Sequence, residues 1–231
     1  MSAIDVVIPA FNAARYLDQA LASVLSQDHA AHRVIVVDDG STDGTVDVAA
    51  KFGAPVEIER RQNGGAAAAR NTGIARSAAA LVAFLDADDL WTPRKLALQA
   101  AVLDTDPAID FVVCLVRAFA SPELPEAERN ALEAQQPRPF EGWIAGAMLI
   151  RRASFDRVGP FAEDLRVGEV VDWLSRARRA GLKPRLIPEV LVERRLHRHN
   201  TTLQATHHRD YLLAAKRHVE RLRKDGESER R

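Results

Sequence analysis

Two acidic clusters carry the chemistry that this sequence can do. Asp86-Ala-Asp-Asp89 follows the apolar run Leu81-Val-Ala-Phe-Leu85, and Asp38-Asp39 follows Val34-Ile-Val-Val37. Carboxylates one residue apart, as at Asp86 and Asp88, bring hard oxygen ligands to one Mg²⁺ or Mn²⁺ carrying a diphosphate, where the cation neutralises charge building on a departing phosphate. Nothing near Asp38-Asp39 suggests a metal. Carboxylates there accept hydrogen bonds from a base imide or ribose hydroxyls, so a nucleotide is the natural ligand. Plainer alternatives exist: Asp88 or Asp89 capping the next turn, and Asp38-Asp39-Gly40 serving only as turn residues. The position of both clusters after apolar strands favours ligand binding, because open α/β sheets bind ligands at the carboxyl ends of their strands.

Two further stretches add to this. Asn63-Gly-Gly65 is a flexible approach, and in Arg70-Asn71-Thr-Gly73 the guanidinium is suited to phosphate or a sugar hydroxyl, or else to plain solvation.

The elements that must position these residues alternate between β-rich runs and helical patterns, the signature of βαβ units and a mostly parallel sheet. Strands are expected over Ile4–Ile8, stopped by Pro9, then over 34–37, 56–59, 81–85 and 110–119. Helices are expected over 14–25, 45–51 (capped by Ser41 or Asp43) and 66–77. Another opens on Thr92 as N-cap with Pro93 at its first position. Residues 121–139 carry four prolines and many charges around a short helix over 126–134, which reads as an insertion. Beyond it, helices over 152–158 and 171–180 and strands over 183–187 and 190–196 are expected, then a basic helix over 206–223.

With 231 residues the chain can bury a substantial core, as one α/β domain or two fused lobes. Lys+Arg and Asp+Glu both number 32, so no global basic field favours nucleic acid, and no nucleic-acid partner is expected. A hydrophobic share of 47% and a charged share of 28% suit a folded protein. Cys114 lies in the apolar run Phe111-Val-Val-Cys-Leu-Val116 and is expected to pack as a hydrophobe. One cysteine makes neither an intrachain disulfide nor a zinc cluster, which suits a reducing compartment. No export signal or membrane-spanning run is visible, so a cytoplasmic location is expected. The basic amphipathic tail helix offers peripheral contact with an anionic membrane, or simply packs on its own domain.

Taken together, the motifs resemble family 2 glycosyltransferases, inverting enzymes of the GT-A fold that use UDP- or GDP-activated sugars. The carriers are Val7-Ile-Pro-Ala-Phe-Asn12, Val36-Val-Asp-Asp-Gly-Ser-Thr-Asp43, Asn63-Gly-Gly65, Ala69-Arg-Asn-Thr-Gly73, Phe84-Leu-Asp-Ala-Asp-Asp89 and Arg157-Val-Gly-Pro-Phe161. Their order and spacing make the match, which runs from about Ile4 to Thr202.

The resemblance implies a nucleotide-sugar-binding half over 1–118, an acceptor-binding half of the same domain over 119–202, and a C-terminal helix and tail over 203–231. It implies that Pro9, Phe11, Asn12, Asp38 and Asp39 contact the nucleoside, and that Arg70 and Asn71 flank the donor. It further implies that Asp86 holds ribose or sugar and that Asp88 holds a divalent metal, Mn²⁺ or Mg²⁺. Arg194-Arg-Leu-His-Arg-His-Asn200 resembles the family's late Arg-x-His-x-x-Asn segment and places His197 at the diphosphate or metal.

The family's acceptor-side helix usually opens on a Glu-Asp pair whose aspartate is the general base. This chain departs from that pattern, reading Gly168-Glu-Val-Val-Asp-Trp173. Glu169 is the favoured base and Asp172, three residues on, its rival or orienting partner. The implied partners are a nucleoside-diphosphate sugar, with UDP favoured, and an acceptor hydroxyl on a glycan, lipid, peptide or small molecule. A non-catalytic nucleotide-sugar-binding module is the alternative.

Overall fold

The computed structural model describes residues 2–136, 138–198, 200, 213, 216 and 217. Its elements run β1 (Ile4–Ala10), α1 (Leu17–Leu25), β2 (Arg33–Asp38), α2 (Thr45–Ala50), β3 (Val56–Arg60), α3 (Ala66–Arg76), β4 (Leu81–Phe84), β5 (Leu90–Trp91) and α4 (Lys95–Thr105). There follow β6 (Phe111–Ala120), α5 (Glu126–Gln135), β7 (Phe140–Glu141), a 3₁₀ turn (Ala145–Ala147), β8 (Leu149–Arg151), α6 (Arg152–Val158), α7 (Glu169–Arg179) and β9 (Pro184–Leu196).

One sheet of the described residues has the order β3-β2-β1-β4-β8-β6-β9-β5, with β7 on β6. Strands β3, β2, β1 and β4 are parallel, as the alternating pattern predicts. From β4 onward the sheet is mixed: β8 runs antiparallel to both β4 and β6, whereas β9 is parallel to β6.

The apolar strands are buried on both faces, and alternate residues feed two cores. Val6, Ile8, Val34, Val36 and Leu81 pack beneath α1 and α4, with Leu17, Leu21, Leu96 and Leu103. On the opposite face Val7, Ile35, Val37, Val82 and Phe84 meet Ala67, Ala69 and Ile74 of α3 and Trp173 of α7. The run of small residues in α3 lets it lie close to the sheet: a Cβ at Gly73 would stand 2.3 Å from Val7 Cγ1.

Four local expectations are corrected. Pro9 does not stop the first strand; its fixed backbone angle suits an extended chain, and β1 continues to Ala10, with Pro9 opposite Val37. Thr92 does not cap α4. Its hydroxyl has no partner, and its carbonyl instead accepts N–H bonds from Lys95 and the Gln27 amide. Of the two caps expected for α2, Ser41 is not one, because its Oγ receives Asn12 N–H; Asp43 is, its Oδ1 accepting the N–H of Thr45 at the start of the helix while Oδ2 receives Ala14 N–H. The two strands expected over 183–196 are one strand, whose register shifts against β6 beside Cys114 and Leu115 absorb the Pro188 region.

Cys114 is fully buried, and burial raises its thiol pKa. Among the described residues no helix is long and apolar enough to cross a membrane. The basic tail helix, with His207 and His208, lies outside the described residues apart from Leu213, Lys216 and Arg217, which are helical.

Candidate active site

The crevice opens at the carboxyl ends of β1, β2 and β4. At the end of β1, Asn12 adopts φ of 49°, a left-handed conformation that Asn tolerates. Its Oδ1 accepts Thr42 N–H at 2.9 Å and its own N–H binds Ser41 Oγ, which joins the loop after β1 to the loop after β2. Beside it the Phe11 ring is 52% exposed, an unusual setting for a large aromatic residue.

The two β2 aspartates do different work. Asp38 is buried; Oδ1 accepts Ser41 N–H, while Oδ2 makes no hydrogen bond and only stands 3.5 Å from Arg60 Nε as an ion pair. A buried carboxylate oxygen without a donor is costly, so this atom is poised for a ligand N–H or O–H. Asp39 is already engaged. It receives Arg61 Nη1 at 2.7 Å and the N–H groups of Gly64 and Gly65, so it fixes the Asn63-Gly-Gly65 loop.

Opposite, Arg70 is 4% exposed and reaches from α3 to two carboxylates. Nη1 donates to Glu169 Oε1 at 2.6 Å and Nη2 to Asp86 Oδ1 at 2.5 Å. Burial alone would lower its pKa, but the charges and hydrogen bonds of Asp86 and Glu169 outweigh it and hold the guanidinium firmly protonated. Its Nε is buried without a partner. Asn71 faces elsewhere: its side chain bonds both the N–H and the C=O of Phe161 and also Glu163, anchoring the loop that leads into α7.

At the start of α7 the two candidate bases separate. Glu169 meets Arg70, and its Oε2 makes no hydrogen bond among the described residues. Asp172 is 1% exposed and its Oδ2 binds Arg176 Nε at 2.9 Å; Arg176 also donates to the carbonyls of Val158 and Pro160. Asp172 therefore secures α7 against the end of α6. Val170, between them, packs into the apolar core.

Beyond Asp86, Asp88 Oδ2 lies 2.8 Å from His197 Nε2 and 3.2 Å from Asn200 Nδ2. Asn200 Oδ1 accepts His197 N–H, and Tyr16 lies beside the imidazole with ring centroids 4.8 Å apart. The late basic segment thus returns to the crevice. Asp89 points the other way, buried and accepting Arg195 N–H; burial first, then the neighbouring charges of Asp88 and Asp86, raise its pKa well above the usual range.

The donor set suits Mg²⁺ or Mn²⁺ in part, since a carboxylate oxygen and an imidazole nitrogen converge. Among the described residues no group of three or more His, Cys, Asp or Glu gathers. The rest of a coordination shell would have to come from phosphate oxygens and water, the way Mg²⁺ is commonly bound.

Of the residues singled out by sequence, Asp86, Arg70 and Glu169 meet in one cluster and Asp88 and His197 in another, while Asn71 and Asp172 serve the scaffold. Sequence reasoning missed Arg195, whose Nε donates to the Asp88 carbonyl at 2.9 Å from 2% exposure. In a run as arginine-rich as Arg194 to Arg198, nothing marks the buried one.

A parallel β3-β2-β1-β4 half with acidic loops at its carboxyl edge, fused to a mixed half that returns a histidine to those loops, is the GT-A arrangement. Solved structures share it. TarS 1-349 of S. aureus in complex with UDP-GlcNAc superposes with a TM-score of 0.71 over 88% of this chain and 61% of that one, at 19% identity. The UDP complex gives 0.66 over 84% of this chain and 60% of that one, at 20% identity.

The chain belongs to glycosyl transferase family 2, whose model matches residues 5–159. A glycosyltransferase of Nostoc sp. described as uncharacterized is 42% identical over 110 residues, 46% of this chain and 34% of that protein. Glycosyltransferase AglE of Haloferax volcanii is 32% identical over 193 residues, 77% of this chain and 62% of that protein. The chain therefore spans only part of the length of the curated relatives it matches.

Proposed function

We propose that this chain transfers a sugar from a UDP-linked donor to an acceptor hydroxyl, with inversion at the anomeric carbon. The observation that carries the reading is the meeting of Asp86 and Glu169 on Arg70, beside the Asp88–His197 pair. Asp38 Oδ2 and the exposed Phe11 ring suit the hydrogen-bonding edge and the face of a base. UDP and UDP-GlcNAc are the ligands of the similar TarS structures, which supports the choice of nucleotide. The Asp39-bound glycine loop and Asn12 shape the nucleoside end, and Asp86, turned by Arg70, faces the ribose or the sugar. Glu169 Oε2 takes the acceptor proton as the hydroxyl attacks. A divalent cation at Asp88 and His197 would neutralise charge on the leaving diphosphate.

Val170 supports a second reading, a nucleotide-sugar-binding module without transfer, since a valine stands where the related enzymes place their aspartate. Donor turnover separates the two.

The test is a thermal-shift panel of UDP, GDP, dTDP and their sugars with and without Mn²⁺, followed by a UDP-release assay. A UDP-specific shift, with a metal-dependent part lost in Asp88→Ala, is expected. A protein indifferent to every nucleotide would overturn the donor site, and UDP binding without any release would favour the module.

A further inference from the structure

A cleft of about 510 Å³ lies behind the Asp86–Asp89 loop, within the ~300–1,000 Å³ range of small-ligand sites. Helix α5 forms one wall with Glu126, Arg129, Asn130 and Glu133, spaced i, i+3, i+4 and i+7 and so on one face. Normally the polar face of a surface helix looks outward. Here that face, with Glu126, Asn130 and Glu133 exposed and Arg129 half-buried, forms the open rim of a cleft whose lining also includes Leu90, Phe119 and Pro122. Among the described residues neither the Arg129 guanidinium nor the Asn130 amide has a hydrogen-bond or ion-pair partner.

The inner end is built by Arg195, 2% exposed and clamped between Tyr16 at 4.9 Å and Phe119 at 4.8 Å from its guanidinium carbon to the ring centroids. Its Nη2 donates to Gln19 at 2.7 Å and its Nε to the Asp88 carbonyl. One side chain therefore touches both the cleft and the backbone of the loop that carries Asp88.

The lining sets the chemistry of the occupant. Two guanidiniums face two carboxylates, so the walls carry no net charge and offer a polyanion no advantage. Donors and acceptors alternate along α5 in a lining that also holds the apolar Leu90, Phe119 and Pro122, which matches a pyranose ring whose hydroxyls both give and accept while its C–H face packs on apolar atoms. We propose that this cleft binds a neutral saccharide ring, the part of a glycan acceptor remote from the reacting hydroxyl. The acceptor assignment rests on the glycosyl-transfer reading above; the saccharide site does not.

The experiment uses the full chain, with cellobiose, chitobiose, lactose and mannobiose as probes, inorganic phosphate as the anionic control, and UDP-GlcNAc as the separate donor probe. At saturating concentration at least one disaccharide should raise Tm by roughly 2–4 °C, phosphate should not, and the shift should vanish in Arg129→Ala/Asn130→Ala. Helix α5 contributes no buried residue, so that variant should melt as the parent does and keep the UDP-GlcNAc shift. A protein that responds to UDP-GlcNAc and to none of the disaccharides overturns the cleft assignment. So does a response to phosphate alone, or a disaccharide shift that survives the double variant. A disaccharide response without any donor response keeps the saccharide site and removes its link to transfer.

Discussion

Arg70 Nη1 lies 2.6 Å from Glu169 Oε1, tying the middle of α3 to the first residue of α7 across the crevice. The same guanidinium holds Asp86, so the carboxylate assigned to the acceptor and the one assigned to the donor share one buried cation. The guanidinium does this with two separate nitrogens held in one rigid plane, a spacing that the single nitrogen of a lysine does not reproduce.

This arrangement distinguishes the two candidate bases. Glu169→Gln should keep UDP binding and lower kcat by about 10²–10⁴, the usual worth of a general base. Asp172→Asn loses the Arg176 ion pair and should lower Tm while leaving kcat of the folded fraction within a few-fold. Steady-state UDP release beside calorimetric UDP binding reads both variants, and the opposite pattern would hand the base role to Asp172.

Asp39 should act on donor affinity through the loop it holds. In Asp39→Ala the Gly64 and Gly65 N–H groups lose their acceptor and Arg61 its partner. A cost of ~1–3 kcal/mol in stability is expected, together with at least a tenfold weaker UDP complex. Melting curves and titration calorimetry on the same preparation test this; unchanged UDP affinity would leave Asp39 a scaffold residue only.

Asp5 makes stability depend on acid. It is buried at the amino end of β1. Burial raises its pKa, but hydrogen bonds from His32, Ser77 and the N–H groups of Ala78 and Ala79 outweigh that and hold it below the ordinary range of an aspartate. A carboxyl more acidic in the folded than in the unfolded state stabilises above the unfolded pKa, and that contribution fades as pH falls through the folded one. Denaturation in urea from pH 6 down to pH 2 should show stability falling below about pH 4. In Asp5→Asn that part of the slope should be missing and the pH 6 stability reduced.

Lys95 predicts the opposite limb. Its ammonium is fully buried, 4.0 Å from the centre of the Trp91 ring and 2.8 Å from Gln99 Oε1. Burial lowers its pKa to about 8, against a small upward pull from Cys114. Between about pH 8 and the ordinary lysine value near ~10.4, the unfolded chain binds more protons, so stability should rise with pH. Urea unfolding at pH 7.5 and 9.5 should give a higher free energy at 9.5, and Lys95→Met should flatten the difference.

Much of the donor half is legible locally. The run Ile4 to Ile8, apolar save for Asp5, and its fellows at 34–37 and 81–84 are apolar segments between helical patterns, and such segments form parallel strands because both faces are covered. Acids directly after them must then reach the carboxyl edge. Pro9 misleads, because proline interrupts a strand only where its missing N–H is needed. The strand β5, two residues long, has no period to read, and Thr92 loses its capping role because Leu90 and Trp91 pair with β9 just before it.

The sequence by itself determined the family, through the resemblance that its ordered motifs carry, and a mostly parallel sheet with acids after its strands, through apolar runs and short-range spacing. Only the tertiary structure decided which acids meet. Arg70 and Glu169 are 99 residues apart and Asp88 and His197 are 109 apart, and no periodicity links them. The same holds for Asp39, turned inward by the glycine loop, and for the α5 face that borders a cleft. Such contacts depend on how α3, α7 and β9 pack on a common sheet, and packing is a property of the assembled core that no single segment encodes.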